Sequence, residues 1–202
     1  MKEQATDFFT TATRNLQQFG EQAGVKRMVV VSIIGIDQFT SGYSAAKLDH
    51  EAAMLGGPIP ARILRASQFH DFVGQLMDWG RRGDVVYVPN MRTQLVGART
   101  VAQALADLAT ESANAPGPAD ATIVEIAGPR EESLVEMATL LAARRGDPAR
   151  IEGVSNADDP DYGLNEAGAL LPGPGATLAG PTFEEWLKRR ILNRTPQALP
   201  PG

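Results

Sequence analysis

The chain has no cysteine among its 202 residues, which excludes a disulfide framework and a thiolate metal site. Its two histidines, His50 and His70, form no cluster in the sequence, so no metal site is expected. No apolar run approaches the ~18 residues needed to span a bilayer. The start, Met1-Lys2-Glu3-Gln4, lacks the hydrophobic core of a signal peptide. A cytoplasmic protein with no membrane partner is therefore expected. A net charge of -5 argues against general nucleic-acid binding. The acidic excess is uneven: residues 1–120 carry 11 basic and 12 acidic groups, the rest 8 and 12, so no half offers a basic face.

What is present is a packable core, with 43% hydrophobic residues, and an alternation of helical and extended patterns that predicts an α/β class. Gln4 to Ala23 has few breakers, with Phe8, Phe9, Ala12, Leu16 and Phe19 at helical spacing and Gly24 as a cap. Met28 to Ser32 is a short apolar, β-branched run, the pattern of a strand covered on both faces. Tyr43 to Met54 follows as a helix that Gly56-Gly57-Pro58 ends, and Arg62 to Arg65 reads as a strand parallel to the first. Ser32 then falls at the carboxyl end of a strand, where open α/β sheets place their ligands. Tyr43 and Lys47, four apart, share one face of their helix.

Downstream, Phe69 to Trp79 reads as a helix, Asp84 to Pro89 and Thr93 to Val96 as short strands, and Thr100 to Ala109 as a helix. Thr122 to Ile126 reads as a third clear strand. Glu131 to Arg145 is an amphipathic helix whose acidic first turn and Arg144-Arg145 suit the helix dipole. Ile151 to Val154 is a strand candidate, Asp158 to Asp161 an acidic turn, and Phe183 to Arg190 a closing helix. Gly173 and Gly175 alternate with Pro172 and Pro174, which supply no backbone N–H, so that stretch is a turn and not a phosphate loop. Trp79 and Trp186, at helix ends, are expected to pack as anchors.

Ser32, Tyr43-x-x-x-Lys47 and the strand running into Leu64-Arg65-Ala66-Ser67-Gln68-Phe69 resemble the second half of a short-chain dehydrogenase/reductase of the atypical or extended, NmrA-like kind. Thr13-Arg14-Asn15-Leu16, Ile126-Ala127-Gly128-Pro129 and Thr182-Phe183-Glu184-Glu185-Trp186-Leu187 extend the likeness over essentially the whole chain. The resemblance implies a partial Rossmann-like, doubly wound parallel sheet over residues 1–110, a small C-terminal substrate-side α/β portion over 111–194 and a disordered tail over 195–202. It further implies NAD(P)-dependent carbonyl or hydroxyl redox on an unknown small molecule. Tyr43 would be the general acid or base, Lys47 the group that lowers its pKa and holds the nicotinamide ribose, and Ser32 a hydrogen bond to the substrate oxygen. Ala66, Ser67, Gln68 and Phe69 would border the nicotinamide.

Two departures qualify this. The strand, Gly-rich turn and helix that cradle the pyrophosphate do not precede the first helix, so a chain lacking the N-terminal half, with weak cofactor binding, is expected. The family's helix asparagine falls on Phe9. Read from the residues alone, Tyr43 and Lys47 have a plainer explanation, since Lys47 could pair with Glu51 one turn on; His50, one turn beyond Lys47, could flank the site but more often such a histidine packs or faces solvent, and His70 beside Phe69 is the better contact candidate. An enzyme, a non-catalytic NmrA-like ligand-sensing module and a truncated gene product all remain open. Since the strand Met28 to Ser32 would be central in the parent fold, its unpaired apolar edge at Met28 to Val31 predicts self-association there or marginal stability.

Overall fold

The computed structural model describes residues 2–111, 114–147, 149–155 and 161–192; the predicted tail and most of the acidic turn lie outside them. A long helix α1 (Lys2–Gln22) leads into strand β1 (Met28–Ile33), a short 3-10 turn and helix α2 (Gly42–Leu55). Strand β2 (Ala61–Ala66), helix α3 (His70–Gly80) and strands β3 (Arg81–Arg82), β4 (Val85–Pro89) and β5 (Arg92–Thr93) follow. Helix α4 (Ala98–Ala109), strands β6 (Ile123–Ala127) and β7 (Glu132–Ser133), and helix α5 (Leu134–Arg145) come next. The chain closes with β8 (Arg150–Val154), α6 (Tyr162–Ala167), β9 (Thr177–Leu178) and α7 (Phe183–Leu192).

The main sheet is parallel, in the order β1-β2-β6-β9. Met28 pairs with Ala61 and Ser32 with Arg65, so the ends of β1 and β2 lie level. Leu64, Ala66, Val124 and Ile126 fill one face of it and pack on Val101, Ala104 and Leu108 of α4. Each such leucine, valine or isoleucine contributes about 1.5–3 kcal/mol relative to exposure. A second sheet, β3-β4-β8, supports a core of Val73, Met77, Val86, Val88, Leu134, Leu141 and Phe183 from α3, β4, α5 and α7. The two sheets interleave along the chain: β4 pairs with the later β8, and β9 returns to the first sheet.

Several expectations change. β1 has α2 and α4 packed against it, but it is only half-buried, because it ends its sheet and has β2 as its one strand partner among the described residues. Helix α1 buries Thr13 and Gln17 and leaves Phe8, Leu16 and Phe19 exposed, so its apolar stripe is not its packed face. Gln17 explains this: its amide donates to the Met54 carbonyl and accepts from the Ile59 N–H, closing the end of α2. The extended stretch at Thr93 to Val96 shrinks to Arg92–Thr93 paired with β7, while Val96 forms a lone bridge with Phe69. Trp79 is 60% exposed and anchors nothing beyond an edge contact with Phe72, whereas Trp186 packs on Phe183.

Gly35, two residues beyond β1, has φ +73, and a Cβ there would lie 1.8 Å from the Ala169 carbonyl oxygen. Only glycine satisfies both demands. This close approach seats the segment after α6 against the end of the serine strand.

Candidate functional site

Ser32 is buried, and its Oγ has no hydrogen-bond partner among the described residues. A buried hydroxyl left in that state costs about 1–3 kcal/mol. It sits on β1 one residue after Val31, whose carbonyl accepts a hydrogen bond from Lys47 Nζ at 2.9 Å. Lys47 reaches that carbonyl because the loop through Phe39 turns α2 back over β1. Its ammonium also meets His50 Nδ1 at 3.2 Å and stands 5.0 Å from the centroid of the Phe9 ring.

Phe9 is the hub of this cluster. Its ring lies 5.8 Å from that of Tyr43 and stacks at 4.7 Å on His50. Tyr43 and Lys47 therefore flank one aromatic ring from the same helix face. The Tyr43 side of the cluster is open, 58% exposed, while Lys47 is buried. Burial lowers the Lys47 pKa, and the nearby Glu51 opposes that shift. His50 is pushed down in turn, by burial first and by Lys47 second, with Glu51 pulling the other way. At neutral pH, His50 is then a neutral acceptor beside an ammonium.

The ordinary explanation of Lys47, a pair with Glu51, does not hold. Glu51 turns instead to Arg65 of β2, taking hydrogen bonds from Nε at 3.0 Å and from Nη2 at 2.8 Å. Arg65 also reaches Asp37 at 2.9 Å, and the Glu51 hydrogen bond is the first cause that raises its pKa. A forked guanidinium forms a bidentate pair that an ammonium cannot, and Lys47 is left to the Val31 carbonyl.

The stretch after β2 is placed by the same sheet. Ala66 is level with Ile33, Ser67 is buried and Phe69 is 37% exposed ahead of α3. Gln68 Oε1 accepts from Thr93 Oγ1 at 2.6 Å. No contact joins Ala66, Ser67, Gln68 or Phe69 to Tyr43 or Lys47 directly; β1 and β2 bring the two groups to one end of the sheet.

Sequence reasoning missed Asp161. Its carboxylate accepts four hydrogen bonds, from the backbone and hydroxyl of Thr40 and of Ser41, at 2.8 to 3.0 Å. Burial works against the ionised form, and those bonds overcome it, so the pKa is lowered. The carboxylate thus sits at the N-terminal end of α2, where the helix dipole favours a negative charge, and pins the helix that carries Tyr43 and Lys47. The Ser-Thr pair ahead of a helix was its one sequence signal, and it names no partner at so long a separation.

No protein-family model matches the chain, and no curated protein matches it by sequence. Solved structures do match. An NADPH-dependent quinone oxidoreductase from Escherichia coli superposes with a TM-score of 0.64 at 17% identity, over 89% of this chain and 72% of that one. A dTDP-4-dehydrorhamnose reductase from Bacillus anthracis, solved with NADP, gives 0.62 at 16% identity over 90% and 70%. TunA, an NAD-dependent NDP-hexosamine 5,6-dehydratase, gives 0.55 at 18% over 91% and 71%. The chain is thus a Rossmann-like α/β protein, sharing its parallel-sheet architecture with these three dinucleotide-dependent enzymes.

Proposed function

We propose that the chain carries the substrate side of an NAD(P)-dependent oxidoreductase of the short-chain dehydrogenase/reductase type, acting on a carbonyl or hydroxyl group. The observation that carries this reading is the Ser32 hydroxyl, buried and without a partner among the described residues at the end of a parallel strand, next to Val31, whose carbonyl takes the Lys47 hydrogen bond. In this reading a bound dinucleotide supplies or accepts the hydride. The chain's own residues manage the proton: Tyr43 delivers it to the developing alkoxide, Ser32 hydrogen-bonds that oxygen, and the Lys47 ammonium favours the phenolate left behind. Ala66 to Phe69 border the nicotinamide.

The residues fit only part of such a cofactor. Ser32 and Lys47 suit its nicotinamide end, but among the described residues no strand, glycine-rich turn and helix forms a pyrophosphate cradle. Binding of NADPH to the chain alone is accordingly expected to be about millimolar or weaker. The deciding experiment measures reduction of a panel of carbonyl compounds with NADPH, together with calorimetric titration of the cofactor. Tyr43→Phe should abolish turnover with the fold intact, and an active protein indifferent to Tyr43→Phe overturns the assignment.

A second reading, a non-catalytic NmrA-like ligand-sensing module, is favoured by Tyr43 itself, which is 58% exposed and leans its ring on Phe9. Cofactor binding without turnover of any carbonyl compound would select it. No helix among the described residues is long and apolar enough to cross a membrane.

A further inference from the structure

An ammonium has three N–H groups and no lone pair, so the 3.2 Å contact between Lys47 Nζ and His50 Nδ1 runs one way: the lysine donates and the ring accepts. In this contact His50 is neutral, with its one proton on Nε2. A second N–H of Lys47 goes to the Val31 carbonyl at 2.9 Å. The ammonium is thus fixed between an acceptor on α2 and an acceptor on β1, and Lys47 is only 7% exposed.

Of the two partners on α2, the ring is the one held in place. Phe9 of α1 stacks on it at 4.7 Å with the planes 15° apart, whereas Lys47 hangs on a flexible four-carbon stem. The charged groups that act on His50 both lie on its own helix. Burial is the largest influence and lowers its pKa, Lys47 acts in the same direction, and Glu51 opposes them. The neighbouring elements add no further charge to the ring: α1 offers the Phe9 face, Val31 of β1 holds Lys47, and Arg65 of β2 holds Glu51 at 2.8 Å.

Protonation of Nδ1 therefore removes an acceptor and leaves two positive charges 3.2 Å apart, while the one carboxylate that favours the imidazolium is already paired with Arg65. One of the two must move, and the lysine is the mobile one. We propose that His50 is an acid-operated latch on Lys47: the neutral ring holds the ammonium on the Val31 carbonyl, and a proton taken from solvent at Nδ1 releases it. The latch depends on no reading of what the Ser32, Tyr43 and Lys47 cluster does. It keeps that cluster assembled only while the ring is neutral, and in acid it uncovers the Val31 carbonyl on the strand that ends the main sheet.

NMR on the full chain, titrated from pH 8 downward until the His50 ring is protonated, tests this. At neutral pH the ring-nitrogen signals of His50 should show Nε2 protonated and Nδ1 bare. On acidification the carbonyl-carbon signal of Val31 should shift with the same midpoint as the His50 ring, below 6.5 because burial and Lys47 both disfavour the imidazolium. These two readouts need no variant to fold. In His50→Gln, whose side-chain oxygen offers an acceptor that does not titrate, the Val31 signal should keep its neutral-pH position over the same range. His70, lowered to about 4 by burial, is still present in that variant, so any response that survives there is not due to His50. A Val31 signal indifferent to the His50 titration, an equal shift in His50→Gln, or a proton on Nδ1 at neutral pH would each overturn the proposal.

Discussion

Lys47 donates its hydrogen bond to the outward-facing carbonyl of Val31. In β1 the N–H of Met28 bonds Pro60 and that of Ile34 bonds Ala66. The even-numbered residues therefore face β2, and Val29, Val31 and Ile33 present their backbone groups to the free side. Lys47 thus combines two roles, flanking the candidate tyrosine and placing a charge on an open sheet edge, which is a recognised way of blunting one. The residues of β1 alone suggested an edge with nothing to blunt it.

The first expected outcome concerns that edge. With only Val31 covered, Val29 and Ile33 still offer pairing groups, and self-association through β1 is expected at high concentration. Lys47→Met should strengthen it. Light scattering over a concentration series checks this; a monodisperse monomer in both proteins, with strong amide-exchange protection of Val29 and Val31, would mean that the edge is covered.

Removing the Lys47 charge also acts on His50. Its pKa is held down by burial and then by the ammonium 3.2 Å away. Loss of the like charge favours the imidazolium, so Lys47→Met should raise the His50 pKa. NMR titration of the ring reads this directly, and an unchanged value would place the ammonium elsewhere in solution.

Glu51 and Arg65 form the most buried ion pair among the described residues, with side chains 3% and 13% exposed. Glu51→Ala leaves a guanidinium half-desolvated and should destabilise the protein by about 3 kcal/mol. The double variant Glu51→Leu/Arg65→Met should recover much of that, because both charges leave together. Chemical denaturation of the three proteins measures it, and a double variant worse than the single one would contradict the desolvation argument.

Stability should fall in mild acid for a reason set by His70. Its folded pKa of about 4 lies below the unfolded value of 6.5, so the unfolded chain takes up the proton first. The stability present above pH 6.5 is lost as pH falls toward 4, by at most about 3 kcal/mol. His50, lowered in the same direction, adds to the slope, while the Asp161 contribution goes at lower pH. His70→Phe should flatten the curve between these two limits, and an equally steep curve would show that His70 is not its source.

The sequence by itself determined the local elements. β-branched runs determined β1 and β6, glycine and proline ended α2, and the helical pitch alone placed Tyr43 and Lys47 on one face, since these depend on neighbours a few residues apart. Only the tertiary structure decided partners. Whether Glu51 takes Lys47 or Arg65 depends on which donor the β1–β2 register brings within reach and on the fork geometry of a guanidinium. Asp161 reaches Thr40 and Ser41 across 120 residues, and the polar face of α1 packs because Gln17 meets the end of α2. His70, beside Phe69, reads as a contact candidate for the site, and the structure buries it in the second core instead. Its burial under Trp186 arises from α3, α5 and α7 folding over the second sheet, and a long-range contact of that kind leaves no periodic trace in the chain.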